Sequence, residues 1–207
     1  MQSKILAIGF VLMLAVNLPL NAQYTKQDTT FKKCFIGSTF FMLGNFAQVN
    51  KPDFVQLNLG YRLTGKDVVS LELKTWKYAW SLGIPFYGES FEAPEEEFPG
   101  YIREFGVAVA YQRYLWKGLY AGVHVMNAFQ SFVDDNGQKI DNGFQIFNTY
   151  RAGYHFKLFK DRFFIEPSMG ITHRPYHTEM PESFKQMDDK WNKFLLGEPG
   201  LHFGFNF

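Results

Sequence analysis

The sequence has 207 residues, 21 of them basic and 20 acidic, for a formal net charge of +1. That balance excludes a nucleic-acid binder working through a basic surface, and a single cysteine, Cys34, excludes an internal disulfide. Aromatic residues make up 19% of the chain, with 24 Phe and 11 Tyr, yet past Val16 no run is apolar for long enough to be a spanning helix.

Met1 to Ala22 has the pattern of a secretory signal peptide: Lys4, an apolar stretch from Ile5 to Val16, then Leu20-Asn21-Ala22 ending in a small residue. Cleavage there leaves 23–207 as one domain, starting at Gln23 with basic and acidic residues in balance. No cysteine stands at the cleavage point to carry a lipid. Neither a repeat of solenoid or propeller period nor a linker is visible in the remainder.

Alternation then predicts eight strands, because successive side chains of a strand point to opposite faces. The first runs Phe35 to Phe46. The second, Phe54 to Leu63, sets Val55, Leu57, Leu59 and Tyr61 against Gln56, Asn58, Gly60 and Arg62, and ends in the turn Thr64-Gly65-Lys66. The third, Val68 to Trp80, sets Val69, Leu71 and Leu73 against Ser70, Glu72 and Lys74. A long loop, Ser81 to Gly100, holds three prolines and the acidic run Glu95-Glu96-Glu97.

The fourth strand, Ile102 to Leu115, opposes Phe105, Val107 and Val109 to Glu104, Gly106 and Ala108, and turns at Trp116-Lys117-Gly118. The fifth, Leu119 to Phe132, opposes Ala121, Val123 and Val125 to Tyr120, Gly122 and His124. A loop, Val133 to Asn142, leads to the sixth, Gly143 to Phe159. There Phe144, Ile146, Tyr150 and Ala152 oppose Gln145, Thr149, Arg151, His155 and Lys157. Lys160-Asp161 turns into the seventh, Arg162 to Arg174, which opposes Phe163, Ile165 and Ile171 to Glu166, Ser168 and Thr172. A last loop, Pro175 to Phe194, reaches the terminal strand, Leu195 to Phe207. Pro167 and Pro199 lie inside strands and cannot donate to a ladder, so each predicts a bulge or a local break.

The connections alternate between short turns and longer loops, which an up-and-down barrel with both ends on one side requires. Tyr114, Trp116, Tyr120, Phe159 and Phe163 flank the short turns and suit an aromatic girdle. Trp76, Tyr78 and Trp80 suit the opposite rim.

In the last strand Leu201, Phe203, Phe205 and Phe207 share one face, and His202, Gly204 and Asn206 the other. This resembles the closing strand of bacterial outer-membrane β-barrels. With the leader and the alternating loops, the chain resembles the small eight-stranded barrels of the OmpA/OmpX type, and no local motif selects a subfamily. The resemblance implies an all-β fold: a single eight-stranded antiparallel up-and-down transmembrane barrel with a packed polar interior, short periplasmic turns and longer external loops. It implies the outer membrane of a Gram-negative bacterium as destination, reached from the periplasm. Lipid, lipopolysaccharide and, during biogenesis, the barrel-assembly machinery are its partners, and the Leu201, Phe203, Phe205, Phe207 face is the assembly signal.

A membrane barrel turns its polar face inward. That face holds Arg62, Glu72, Lys74, Glu104, His124, Arg151, His155, Lys157, Glu166, Glu198 and His202, which are expected to pair as an interior network. Eight strands leave room for side chains or one small ligand, not for a porin-sized channel. The expected role is structural, or surface interaction through the external loops, by a monomer without nucleic acid, cofactor or metal. Asp134-Asp135-Asn136-Gly137 falls short of a calcium loop, because position twelve is Gln145 where a glutamate is needed, and a hairpin turn explains Asn136-Gly137 more simply.

Two alternatives remain. One is an enzyme that remodels lipid A acyl chains. No histidine carries the His-x-Ser element of the 3-O-deacylases, although His173, His177, Ser183, Asp188 and Asp189 could supply the residue types of the palmitoyl-transferring group. The other is a soluble periplasmic barrel that binds an apolar ligand.

Overall fold

Side-chain alternation in segment after segment builds strands, and each strand finds its neighbour in sequence. The structure, a computed structural model, describes residues 32–46, 51–78, 99–189 and 193–207. Its strands are β1 (Cys34–Thr39), β2 (Val55–Arg62), β3 (Asp67–Tyr78), β4 (Tyr101–Trp116), β5 (Leu119–Val133), β6 (Lys139–Tyr154), β7 (Phe156–Leu158), β8 (Phe163–His177) and β9 (Phe194–Asn206). A 3-10 helix, Phe40–Phe46, follows β1, and a short α-helix, α1 (Glu182–Asp188), precedes β9. No helix among the described residues is long and apolar enough to cross a membrane. The leader Met1–Ala22, the cleavage point, Trp80 and nearly all of the Ser81–Gly100 loop lie outside the described residues.

Every pairing is antiparallel. β1 to β6 pair in order, β6 pairs with β8, β8 with β9, and β9 with β1, so the sheet is ring-like. β7 continues β6: pairing with β8 stops at Gly153–Ser168 and resumes in the same register at Phe156–Ile165. The lapse lies opposite Pro167, which has no N–H for the ladder. No shift occurs at Pro199. The shift lies between Gly170 and Ile171 of β8, opposite the extra residue Gly197 at φ +74°.

The ring has two unlike ends. Cys34 and Phe207 meet at the turn end through two backbone hydrogen bonds, of 3.1 and 2.9 Å, beside the tight connections of β2 to β3, β4 to β5 and β7 to β8. The 3-10 helix, the β5–β6 hairpin and α1 lie at the loop end.

Four predicted segments need correction. The first strand ends at Thr39, not Phe46. Phe41 there turns onto Phe54 and Trp76, and the Asn45 side chain bonds both N and O of Phe54 at 2.7 Å, so helical backbone replaces strand. The loop expected from Val133 to Asn142 is shorter, because β6 already starts at Lys139; the hairpin turn expected at Asn136-Gly137 is there, with Asp134 Oδ1 accepting the N–H groups of Asn136 and Gln138. The alternation of loop lengths is therefore weaker than the sequence suggests. β8 runs through Pro175 to His177 by shifting register between Ile146 and Asn148 of β6. The last loop contains α1.

Polarity is inside out for a protein in water. Glu104 is 1% exposed and Glu72 5%, whereas Val109 is 63% and Phe129 56% exposed. Trp76, Tyr78 and Tyr120, expected at the rims, are buried inside the ring, because each shares the inward parity of its strand, and Tyr114, expected in the girdle, turns in to His155. Trp116 and Phe159 do project outward at the turn end.

Candidate functional site

The inward side chains form three levels. Nearest the turn end, Glu166 on β8 meets His155 Nδ1 at 2.7 Å and accepts from Gln112 Nε2 at 3.0 Å. Tyr114 lies 3.1 Å from the same imidazole nitrogen, and Phe164 stacks on the ring. Arg62 Nη2 donates to Asn206 Oδ1 at 3.0 Å, and Asn206 Nδ2 donates to the Asp161 carbonyl at 2.9 Å. In the turn itself, burial pushes the Asp161 carboxyl up, but the His155 imidazole and the Lys157 ammonium outweigh it and hold it at about 2.

At the middle level Glu72 faces His124 Nδ1 at 2.9 Å, and Arg151 Nη2 donates to Glu198 at 2.6 Å. Thr172 donates to the other Glu198 oxygen and lies 2.9 Å from Thr149. Register fixes these meetings, since Gly170 stands opposite both Arg151 and Glu198, and a glycine leaves the long side chains room.

Toward the loop end Glu104 accepts from Trp76 Nε1 at 2.9 Å, Tyr78 Oη at 2.6 Å and Gln145 Nε2 at 2.6 Å, with Lys74 Nζ at 3.6 Å. The Lys74 ammonium lies 4.6 Å from the Trp76 ring centre and 4.5 Å from that of Phe147. Above them Phe54, Trp76, Tyr78, Ile102, Phe132 and Phe184 make an apolar cluster. Arg174 Nη1 donates to Asp188 of α1 at 2.6 Å, its Nη2 takes the second carboxylate oxygen, and the helix is thereby held over the ring.

The interior is not filled throughout. A cavity of about 360 Å³ lies between the ionised middle level and the aromatic upper one, lined among others by Glu72, Lys74, Trp76, His124, Phe147 and Arg151. The expectation of a packed polar interior therefore needs amending.

Of the sequence-derived network, Arg62, Glu72, Lys74, Glu104, Arg151, His155 and Glu166 are buried, and His124, Glu198 and His202 are half-buried. Lys157 is not among them. It leaves the ring where the strand lapses, is 56% exposed, and meets Asp161 at 3.1 Å. Leu201, Phe205 and Phe207 project outward, while Phe203 is half-buried against Phe40. Trp76, Tyr78, Gln130, Gln145 and Arg174 were absent from that set. Parity could have placed them: Trp76 and Tyr78 continue the Glu72, Lys74 face, and Arg174 continues the Glu166, Thr172 face. His177, expected in the last loop, belongs to β8, as does His173. Among the described residues, no His, Cys, Asp and Glu side chains group in a metal-holding cluster. The chain matches no family model, no curated protein and no solved structure.

Proposed function

We propose that this chain is an integral outer-membrane β-barrel of a Gram-negative bacterium, delivered to the periplasm by its leader and closed by β1 and β9. The observation that carries this reading is the reversed polarity: carboxylates and guanidinium groups enclosed, and a band of Leu, Val and Phe outside. In water such a surface would aggregate; in hydrocarbon it is the required one, and a ring leaves little unpaired backbone. The turn end faces the periplasm and the loop end faces outward. The apolar cluster under α1 and the bonded clusters below it argue against a wide pore, so the role is structural or one of surface interaction. The face of Leu201, Phe203, Phe205 and Phe207 serves the assembly machinery.

Membrane fractionation with carbonate extraction, followed by heat-modifiable gel migration, tests the placement. A protein found wholly in the periplasmic extract overturns it. Planar-bilayer recording is expected to show no porin-sized steps. Lipid A modification is the second reading, favoured by the cavity. Mass spectrometry of lipopolysaccharide incubated with the purified protein decides it, since a lost or gained acyl chain establishes an enzyme.

A further inference from the structure

Strand register lays the outer face of the ring out in rows. Lys77 on β3 stands beside Arg103 on β4, then Ser131 on β5 and Asn142 on β6, a polar row toward the loop end. On the turn side Asp67 and Arg113 pair at 2.8 Å. Between these limits the outward positions of β2 to β6 carry aliphatic or aromatic side chains and Thr75, with two exceptions, Asn127 and Asn148.

Asn127 is exposed, with Val107 and Ile146 beside it on the neighbouring strands and Val125 and Phe129 along its own. Among the described residues nothing hydrogen-bonds its side chain. Asn148 is half-buried, and its side-chain oxygen is covered and out of reach. Four residues of β5 separate Asn127 from Ser131, which at a strand tilt of about 45° sets the amide about 9 Å deeper than the polar row. A primary amide carries two donors and an acceptor, and in hydrocarbon no water meets them. A bare amide at that depth is a cost that a hydrogen-bonding partner removes.

We propose that the wall formed by β4, β5 and β6 is the interface of a two-fold dimer in the membrane, with Asn127 of one copy hydrogen-bonded to Asn127 of the other. Hydrocarbon holds no donor or acceptor, whereas a second copy brings the same amide to the same depth, because both insert in one orientation. A two-fold contact must be self-complementary on its axis. The amide meets that demand, since each N–H donates to the other's carbonyl oxygen and the two bonds close a ring. Facing sheets pack about 10 Å apart, a gap that two asparagine side chains span end to end. Val109 and Phe129, 63% and 56% exposed, then meet their counterparts around the axis. The dimer replaces the monomer expected from the sequence, and it rests on the outer-membrane reading. Heat-modifiable migration of the reconstituted protein, recorded first, separates failed insertion from failed association.

The test labels Cys34, the one cysteine of the sequence, with a donor dye on one batch of the mature chain and an acceptor dye on another. Cys34 lies on β1, across the ring from β5, so the dyes stay clear of the contact. Both batches are reconstituted together in phosphatidylcholine vesicles, and energy transfer is followed as the ratio of lipid to protein rises. Expected is transfer above that of randomly placed neighbours, falling when unlabelled chain is included in excess. Asn127→Leu puts on the wall a residue type that its surroundings already use, so the ring still folds. It is expected to weaken association about tenfold, the worth of two hydrogen bonds between side chains in a membrane. Asn127→Gln keeps the amide and is expected to stay close to the parent, and Asn148→Leu to change little. Transfer no higher than random in the parent, or unchanged by Asn127→Leu, overturns the dimer. Equal losses in the Leu and Gln variants at 127 overturn the role given to the amide.

Discussion

Trp76 and Glu104 stand directly opposite each other on β3 and β4, and the indole N–H donates to the carboxylate at 2.9 Å inside the ring. The same carboxylate accepts from Tyr78 and Gln145 and faces the Lys74 ammonium at 3.6 Å. One buried anion thus organises three donors and a cation at the upper level.

Removing that anion strands the Lys74 charge and several donors. Glu104→Ala is expected to destabilise the folded state by about 3–5 kcal/mol, as when one partner of a buried pair is deleted. Glu104→Gln keeps an acceptor for Trp76 and costs less, and the double variant Lys74→Met, Glu104→Gln recovers much of the loss because no unpaired charge remains. Urea unfolding in lipid vesicles, followed by tryptophan emission, orders the three variants. Equal stability of Glu104→Ala and the parent would remove Glu104 from its organising role.

Arg174 and Asp188 fasten α1. Asp188→Ala leaves a guanidinium that is 2% exposed without its carboxylate, at a cost of about 3–5 kcal/mol if the structure does not relax. The cheaper relief is for α1 to lift and let water reach Arg174. Trypsin is therefore expected to cut at Lys185 faster in this variant, while the ring's unfolding midpoint moves little. Unchanged cleavage with a large fall in midpoint would show that the pair holds the ring rather than the helix.

The closing strands approach too closely for side chains at one point. Gly37 and Gly204 are register partners, a Cβ at Gly37 would lie 2.6 Å from the Phe203 carbonyl oxygen, and one at Gly204 would lie 2.7 Å from that of Ile36. Backbone cannot yield as a flexible side chain can. Gly37→Ala and Gly204→Ala are each expected to cost about 1–3 kcal/mol, the usual range for overpacking. Both should slow the gain of heat-modifiable migration during refolding, whereas Gly137→Ala, with nothing near its Cβ, should not slow it through crowding.

Much of this site was legible because strand parity is rigid. Once Glu72 and Lys74 are set inward, Trp76 and Tyr78 must follow, and assigning them to a rim by residue type alone misplaced them. Lys157 failed for the opposite reason: parity was carried past His155, where the strand lapses opposite Pro167 and the chain leaves the ring. The 3-10 helix and α1 were hidden because neither has a strong local signal. Phe40, Phe41 and Phe46 read equally well as strand, and α1 has seven residues and no side-chain cap. Tertiary contacts hold both, through Asn45 onto Phe54 and through Asp188 onto Arg174. The cavity was illegible from sequence, since the same side chains could have filled the ring had β1 continued as a strand.

Asp161 gives the fold a defined response to acid. Its carboxyl, ordinarily near 3.8, is held at about 2 in the folded chain against the effect of burial by His155 and Lys157. The sign follows from linkage: a carboxyl depressed by folding adds stability that is complete above its unfolded value and is lost as pH falls through its folded value. Stability from this group is therefore expected to hold above pH 4 and to decline between about pH 4 and 2. Asp161→Asn keeps a side-chain oxygen for Asn206 Nδ2, which lies 3.2 Å from Oδ1, but removes the titration. Its unfolding free energy should be lower than the parent's at pH 6, with the difference shrinking toward pH 2. Lys157→Met should raise the folded value and narrow the window from below. Chemical unfolding at a series of pH values from 2 to 6 measures the slopes, and parallel curves for the parent and Asp161→Asn would show that the turn carboxylate does not govern acid stability.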